Sequence, residues 1–150
     1  MSARDEFLAE MLPRQIAGER ALHDGDATPR MDTWSHEDPV TLFGALGMFN
    51  SGWDEVSQTN RHVASLFSNC AAYDFELLAA DVSGDLAYTV GYERHSTSIG
   101  GGPVQPHRLR VTHVYRRENG KWKIVHRHGD ELTDQAAPNR PLVEGRCQPR

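Results

Sequence analysis

The feature that most constrains the fold is a pair of strand-like segments joined by a two-residue turn signal. Residues 109–117 and 121–128 alternate apolar with polar side chains and are rich in β-branched and aromatic types. Between them lies Glu118-Asn119-Gly120. Asn-Gly is the strongest short-range signal for a tight hairpin, because both residues tolerate a positive φ. The chain is therefore expected to contain an antiparallel sheet.

Other segments predict more strands before this hairpin. Tyr73, Phe75 and Leu77 alternate, and residues 86–95 are rich in β-branched and aromatic side chains. A short apolar strand is predicted over residues 40–43, and the glycine-rich stretch 96–106 is predicted to be a loop.

Two segments have helical spacing. Residues 5–23 carry apolar side chains at intervals of three and four, and Pro13 predicts either a kink or the start of a second helix there. Residues 53–67 form the clearest helical pattern, with Ser51 as the expected N-cap.

The order of elements selects the fold class. A helix, a short strand, a second helix and then four strands exclude a parallel α/β fold, which needs alternation. We predict an α+β fold in which N-terminal helices pack on the concave side of a curved antiparallel sheet and enclose a pocket. One domain is expected over residues 1–132, followed by a loosely ordered tail over residues 133–150.

Charge and composition exclude several partners. The formal net charge is -5, and the sixteen lysines and arginines are scattered, so nucleic acid is not an expected partner. No apolar run is long enough for a membrane span or a leader peptide, so we predict a cytoplasmic protein with no membrane partner. Cys70 and Cys147 lack metal-type spacing and are expected to be free thiols.

Five segments resemble the SnoaL-like and ketosteroid-isomerase-like bacterial branch of the nuclear-transport-factor-two-like superfamily. They are ALHDGD, WSHEDPVTLFG, GWDEV, GDLAYTVGYER and, most specifically, LRVTHVYRRENGKWKIVHRHGD. The resemblance covers about residues 5–132. It implies a cone-shaped roll, usually a homodimer, with a pocket between sheet and helices. It also implies a functional range from isomerases, cyclases and hydratases or dehydratases to modules that only bind or assemble.

Asp38 is the first candidate catalytic residue. In steroid isomerases an acid in a very similar Glu-Asp-Pro-Val context shuttles the proton, and the resemblance implies this role for Asp38. The rest of that site departs from the pattern, because the helix-one tyrosine is replaced near Gly18 and the second acid falls near Thr112 or His113. The alternative is that Asp38 only caps a turn before proline.

His126 and His128 are the other predicted catalytic residues. Simple alternation places Trp122, Ile124, His126, His128 and Asp130 on one face, and the apolar start of that set predicts that it faces inward. A two-residue loop would place His113 beside His126, whereas a three-residue loop with a bulge would align Arg110 with His128. Both His113 and Arg110 therefore stay candidate ligand-binding residues. The alternative is a polar packing wall or a dimer contact.

Three aromatic residues complete the candidate binding set. Tyr88 is a potential hydrogen-bond donor in the pocket, and Trp34 and Trp53 are candidate wall residues as well as core anchors. Two histidines at i and i+2 can bind zinc with a third ligand such as Asp130 or His36. This spacing is common and the resembled family does not generally use a metal, so no metal and no cofactor is predicted.

Two functions follow from these residues. The first is a small-molecule-binding protein that performs acid–base chemistry on a small carbonyl-bearing compound. The second is a non-catalytic ligand-binding or dimerisation module with the same fold.

Overall fold

The computed structural model describes residues 1–132. The predicted tail and Cys147 lie outside the described residues. The elements, in chain order, are α1 (Ala3–His23), α2 (Thr28–Thr33), β1 (Thr41–Phe43), β2 (Phe49–Ser51), α3 (Trp53–Leu66), β3 (Phe67–Ser83), β4 (Leu86–Ile99), β5 (Gln105–Glu118) and β6 (Lys121–Glu131). Within the described residues, no helix is both long and apolar enough to cross a membrane. The cytoplasmic location stays a prediction.

The strands form one six-stranded sheet in the order β2-β1-β6-β5-β4-β3, with the helices packed on it. This confirms the predicted α+β roll. Strands β3 to β6 are antiparallel as predicted, and the short strand β1, whose pairing was not predicted, runs parallel to β6. Parallel neighbours need a long connection, and α3 with the four intervening strands β2 to β5 supplies it.

The hairpin between β5 and β6 has the predicted turn but an unpredicted bulge. Glu118 pairs with Lys121, and Asn119 and Gly120 have φ values of 51° and 76°. Further along, Tyr115 pairs with Ile124 while Val114 pairs with His126, so Val125 is an extra residue on β6. A bulge of this kind reverses the alternation of faces beyond it.

The helices differ from the sequence expectations in their ends. α1 runs as a single helix across Pro13, whose ring is exposed. The N-cap of α3 is Gly52, so the prediction of Ser51 was wrong. The sequence patterns did not predict α2 and β2, and residues 96–99 extend β4 and do not form a loop.

The apolar core consists of two clusters on the inner face of the sheet. The larger contains Phe7, Met11, Trp34, Val40, Leu42, Val56, Ala87, Tyr115, Trp122 and Ile124, and the smaller contains Leu22, Val63, Ala64 and Phe67. The ring of Tyr115 lies 5.8 Å from that of His113, and His23 stacks on Phe67 at 4.8 Å. Each cluster therefore has a buried histidine ring packed against it.

Candidate functional site

A cavity of about 60 Å³ lies between the helices and the inner face of the sheet. Its apolar wall is formed by Leu22, Leu42, Ala45, Leu46, Met48, Val63, Phe67, Ile99 and Leu109. Its polar wall is formed by His23, Arg30, Glu93, His95, His107, Arg127 and Glu131. Ala45 and Leu46 are exposed, so the loop that carries them forms the rim. The two walls give the cavity one apolar and one charged side.

The charged side is built on a buried ion pair between β4 and β6. Arg127 donates from Nη2 to Oε1 of Glu93 at 2.9 Å and from Nη1 to Oε2 at 3.2 Å. The hydroxyl of Tyr73 also donates to Oε2 of Glu93, at 2.6 Å. Arg127 reaches this position because the bulge at Val125 turns it inward. Without that pairing, a buried charge of either sign would be strongly destabilising.

Glu19 extends the pair into a neutral cluster of four charges. Its Oε1 lies 3.4 Å from Nη1 of Arg127 and 3.0 Å from Nε of Arg30. All four charged side chains are at most 5% exposed. Two carboxylates and two guanidiniums therefore balance inside the protein, as buried charges require.

The ion pair fixes the protonation of its members. Burial alone would raise the pKa of Glu93, but the charge of Arg127 and their hydrogen bonds hold that pKa well below its ordinary value. Burial and the negative charge of Glu93 raise the pKa of Tyr73 well above its ordinary value. At neutral pH the site therefore contains an ionised Glu93 and a neutral Tyr73.

Two neutral imidazoles lie beside the ion pair. Nδ1 of His23 lies 2.6 Å from the carbonyl oxygen of Glu19, and since a carbonyl only accepts, Nδ1 carries the proton. Nδ1 of His95 lies 2.9 Å from Oγ1 of Thr97. The two ring centroids are 4.0 Å apart. Burial lowers the pKa of His23, and it lowers the pKa of His95 to about 3.

Arg30 differs from Arg127 in its partners. Only its Nε lies close to a carboxylate, and neither terminal nitrogen has a hydrogen-bond partner among residues 1–132. Burial lowers its pKa. Arg30 comes this close to the site because α2 lies against Gly18, where an added Cβ would be only 3.0 Å from the Arg30 Cα. A buried guanidinium with unused donors at a cavity wall can bind a ligand oxygen.

Asp38 lies outside the cavity. Its carboxylate is exposed, and its Oδ1 accepts a hydrogen bond from the backbone N–H of Trp53 at 2.8 Å. It therefore satisfies one of the free donors at the start of α3. Trp53 is half-buried and stacks on His36, while Trp34 is fully buried in the larger core cluster. Neither tryptophan lines the cavity.

The prediction that His126 and His128 face inward is wrong. The bulge at Val125 turns both rings to the outer face of the sheet, where they contact the ring of Phe43. Nδ1 of His126 lies 2.6 Å from Oγ1 of Thr41.

The other two residues placed with these histidines also lie on the outer face. Tyr88 is 42% exposed, and Arg110 is exposed and paired with Asp130. The expectation that Tyr88 faces the cavity was therefore wrong, and of the two alternatives left open, His113 and Arg110, Arg110 is the one that faces outward.

His113 is the one predicted residue that reaches the buried cluster. It pairs across the ladder with Arg127, which neither of the two turn alternatives predicted, because neither included the bulge. Its Nε2 lies 3.4 Å from Nη1 of Arg127. Burial lowers its pKa well below the ordinary value.

Sequence reasoning missed most of the residues of the buried charge cluster and of the polar cavity wall: His23, Glu19, Arg30, Glu93, His95 and Arg127. One signal was available in α1, where Glu19 continues the four-residue step of Phe7, Met11 and Gln15 and is buried like them. A charge on an apolar stripe indicates a buried partner. The second signal was Glu93, which directly follows Tyr92 and shares the inner face of β4 with Thr89 and Gly91.

Structures of three other proteins share this fold. A ketosteroid isomerase-like protein from Erwinia carotovora atroseptica has a TM-score of 0.71 and 18% identity, over 86% of this chain and 98% of that one. A "putative ca/calmodulin-dependent kinase ii association domain" from Exiguobacterium sibiricum has a TM-score of 0.69 and 16% identity, over 90% and 98%.

The third is a "putative dehydratase" of the NTF2-like family from Streptomyces avermitilis, with a TM-score of 0.62 and 20% identity, over 85% and 95% of the two chains. At such low identities these likenesses show the fold alone. No curated protein sequence matches the chain. The model of the SnoaL-like domain matches residues 19–130, about three quarters of the sequence. The chain therefore belongs to the SnoaL-like domain family.

Proposed function

We propose that the chain binds a small molecule in the cavity between helices and sheet. The ligand has an oxygen-bearing head, a carboxylate or a carbonyl, and a short apolar body. The observation that carries this proposal is Arg30, a buried guanidinium at the cavity wall whose terminal nitrogens have no partner among the described residues. A ligand oxygen at the cavity wall could accept charge-assisted hydrogen bonds from these terminal nitrogens.

The shape of the cavity limits the ligand. A cavity of about 150 Å³ holds a benzene molecule, and this one has a volume of about 60 Å³. The enclosed part therefore suits a head group and a few carbons, while the rest of a larger ligand would leave past Leu46. The apolar wall of Val63, Phe67 and Ile99 favours a hydrocarbon body.

A second candidate function is acid–base catalysis on the bound carbonyl compound. The neutral rings of His23 and His95 favour it, as does the dehydratase name of the Streptomyces avermitilis structure. Their low pKa values make both rings weak bases in the free protein. A ligand anion beside them would raise these values and bring proton transfer within reach. We place this role on His23 and His95 and not on Asp38, His126 and His128, which lie outside the cavity.

The test is a binding series with a matched pair of arginine variants. Propionate, benzoate, phenol and cyclohexenone are titrated by calorimetry into the wild type, Arg30→Gln and Arg110→Gln. Arg110 is the control because it is exposed and already paired with Asp130 on the outer face. We expect at least one carboxylate or enone to bind, with about tenfold or greater weakening in Arg30→Gln only. Equal affinities in all three proteins would contradict the proposal.

Proton uptake separates the two candidates. If a histidine gains a proton when the ligand binds, the measured enthalpy changes with the ionisation enthalpy of the buffer. Uptake that disappears in His95→Gln supports acid–base chemistry. Binding without uptake supports the non-catalytic module.

We also propose that the outer face of the sheet is the contact of a homodimer. The half-buried Val90, Tyr92, Thr112 and Val114 give this face an apolar centre, and apolar sheet faces tend to be covered. The association-domain name of the Exiguobacterium sibiricum structure also favours assembly.

A further inference from the structure

We propose that His23, Glu93 and His95 form a binding site for a divalent transition-metal ion, with zinc as the preferred ion. Each offers one donor atom, and the three atoms all lie within 4.8 Å of one another. All three side chains line the cavity, so an open coordination position would face it. This reverses the sequence-based expectation of no metal site.

The orientation of the two rings supports this site. Metal-bound histidines usually donate their second ring N–H to a carbonyl, a carboxylate or water. His23 does so through Nδ1 to the Glu19 carbonyl, which leaves its Nε2 with a free lone pair. Nδ1 of His95 lies 2.9 Å from the Thr97 hydroxyl, which can accept its N–H and would then leave Nε2 of His95 free for a metal. No residue in the described part of the chain hydrogen bonds to either Nε2.

The distances require only a small adjustment. Two ligands of one zinc ion, at about 2.1 Å each, lie at most about 4.2 Å apart. The three donor atoms here lie within 4.8 Å of one another, so side-chain rotations that move them by less than about 1 Å bring them close enough to share one ion. The ring centroids of His23 and His95, at 4.0 Å, are already close.

The donor set selects the class of metal. Two imidazoles and one carboxylate with an open position occur in catalytic zinc sites and in non-haem iron sites. Magnesium and calcium prefer sites in which all donors are oxygen atoms, so neither is the preferred ion here. Glu93 is ionised, and its Oε1, which accepts a hydrogen bond only from Nη2 of Arg127, keeps a lone pair for a metal. Its Oε2 already accepts from both Tyr73 and Nη1 of Arg127.

The positive charge of Arg127 weakens the site. Its guanidinium lies 2.9 Å from the same carboxylate, so the metal shares Glu93 with a cation. Repulsion of this kind lowers affinity, and we expect a dissociation constant in the micromolar range and not below it.

The inference is independent of the proposed ligand. Arg30 is not a donor to the metal, and the titration below uses no organic compound. Arg30→Gln is expected to keep its zinc affinity while it loses carboxylate affinity. Failure of one proposal therefore leaves the other standing.

The test is a calorimetric titration of zinc chloride into chelator-treated protein, with the visible absorption of cobalt(II) as a second readout. The variants are His23→Gln and His95→Gln. The control is the double variant His126→Gln/His128→Gln, because this outer-face pair has the i, i+2 spacing of a surface zinc site. Circular dichroism checks that each variant is folded.

We expect one ion per chain in the wild type, about tenfold or greater weakening in each cavity variant, and less than about twofold change in the control. No saturation at millimolar zinc, or weakening confined to the control, would overturn the site. If a cavity variant does not fold, anomalous scattering at the zinc edge from wild-type crystals decides. A peak among His23, Glu93 and His95 supports the site, and a peak only at His126 and His128 overturns it.

Discussion

At the scale of single residues, the site depends on Arg127. Its side chain is 5% exposed and donates to Glu93 from both Nη1 and Nη2. Oε1 of Glu19 and Nε2 of His113 each lie 3.4 Å from Nη1. Such a pair contributes little net stability compared with an apolar pair of the same shape. Removal of either partner alone is costly, because the remaining charge stays buried without its counter-charge. The cluster therefore fixes the positions of the cavity-lining polar groups.

Replacing Glu93 with glutamine is expected to destabilise the fold by about 3–5 kcal/mol, since Arg127 would keep its charge without its main partner. The matched control is Glu76→Gln, which removes an exposed partner of Arg94 at 2.6 Å. Because that pair is solvated, the control should lose less than about 1 kcal/mol. Urea unfolding measures both. Similar losses in the two variants would show that the buried cluster is not a special structural element.

The buried histidines predict how stability depends on pH. Burial lowers the pKa of His113 in the folded state, so the unfolded chain takes up a proton first as the pH falls below about 6.5. This contribution to stability is complete above that pH and is lost as the pH falls, at about 1.4 kcal/mol per pH unit. His23 and His95 act in the same direction.

The measurement is urea unfolding between pH 7.5 and pH 5 in the presence of a chelator. His113→Gln is expected to reduce the slope of the free energy of unfolding against pH by the equivalent of about one proton. The control is His128→Gln, on the exposed outer face. A wild type whose stability rises as the pH falls through this window would contradict the assignment of neutral buried rings.

At the scale of elements, the start of α3 explains Asp38. Gly52 has no side chain to cap the helix, and the carboxylate of Asp38 supplies the acceptor from another segment. Its exposed position and its use as a cap agree with a structural role.

Asp38→Ala is therefore expected to lower the free energy of unfolding by about 0.5–2 kcal/mol, and Asp38→Asn, which keeps an acceptor oxygen, by less. Ligand affinity, measured with the panel proposed above, should not change in either variant. If Asp38→Asn instead abolishes binding of the panel compounds while the protein stays folded, the result would contradict a purely structural role and support the proton-shuttling role that the family resemblance implies.

The hairpin, α3 and the bulge on β6 show why the fold could be predicted from the sequence and the site could not. The Asn119-Gly120 turn and the three-four spacing of residues 53–67 are local signals, and local signals predicted the hairpin and α3. The bulge at Val125 has no local signature, because it depends on how the twisted sheet closes over the helices. One extra residue there moved His126 outward and Arg127 inward. The inner face of β4 was missed since its alternate tyrosines made the wrong face look apolar.

At the scale of the whole molecule, the sheet has two different faces. The inner face carries the core clusters and the cavity, and the outer face carries Tyr88, Arg110, His126 and His128. We propose that the inner face binds the ligand and that the outer face is the contact of the homodimer.

We expect analytical ultracentrifugation at micromolar concentration to give a dimer. Val114→Lys, in the middle of the outer face, should shift the protein to monomer because it places a charge in a desolvated contact. Val104→Lys, at an exposed apolar position in the β4–β5 turn, is the control and should stay dimeric. A wild type that sediments as a monomer at these concentrations would refute the interface.

The most direct test of the central claim, that the inner cavity is the ligand site, is NMR chemical-shift mapping on the intact protein. Each compound of the panel that binds is titrated into ¹⁵N-labelled protein with labelled histidine rings. We predict saturable shifts at Arg30, Glu93 and His95, and none beyond noise at Tyr88 and His128. Saturable shifts confined to the outer face, with the cavity residues unmoved, would contradict the account.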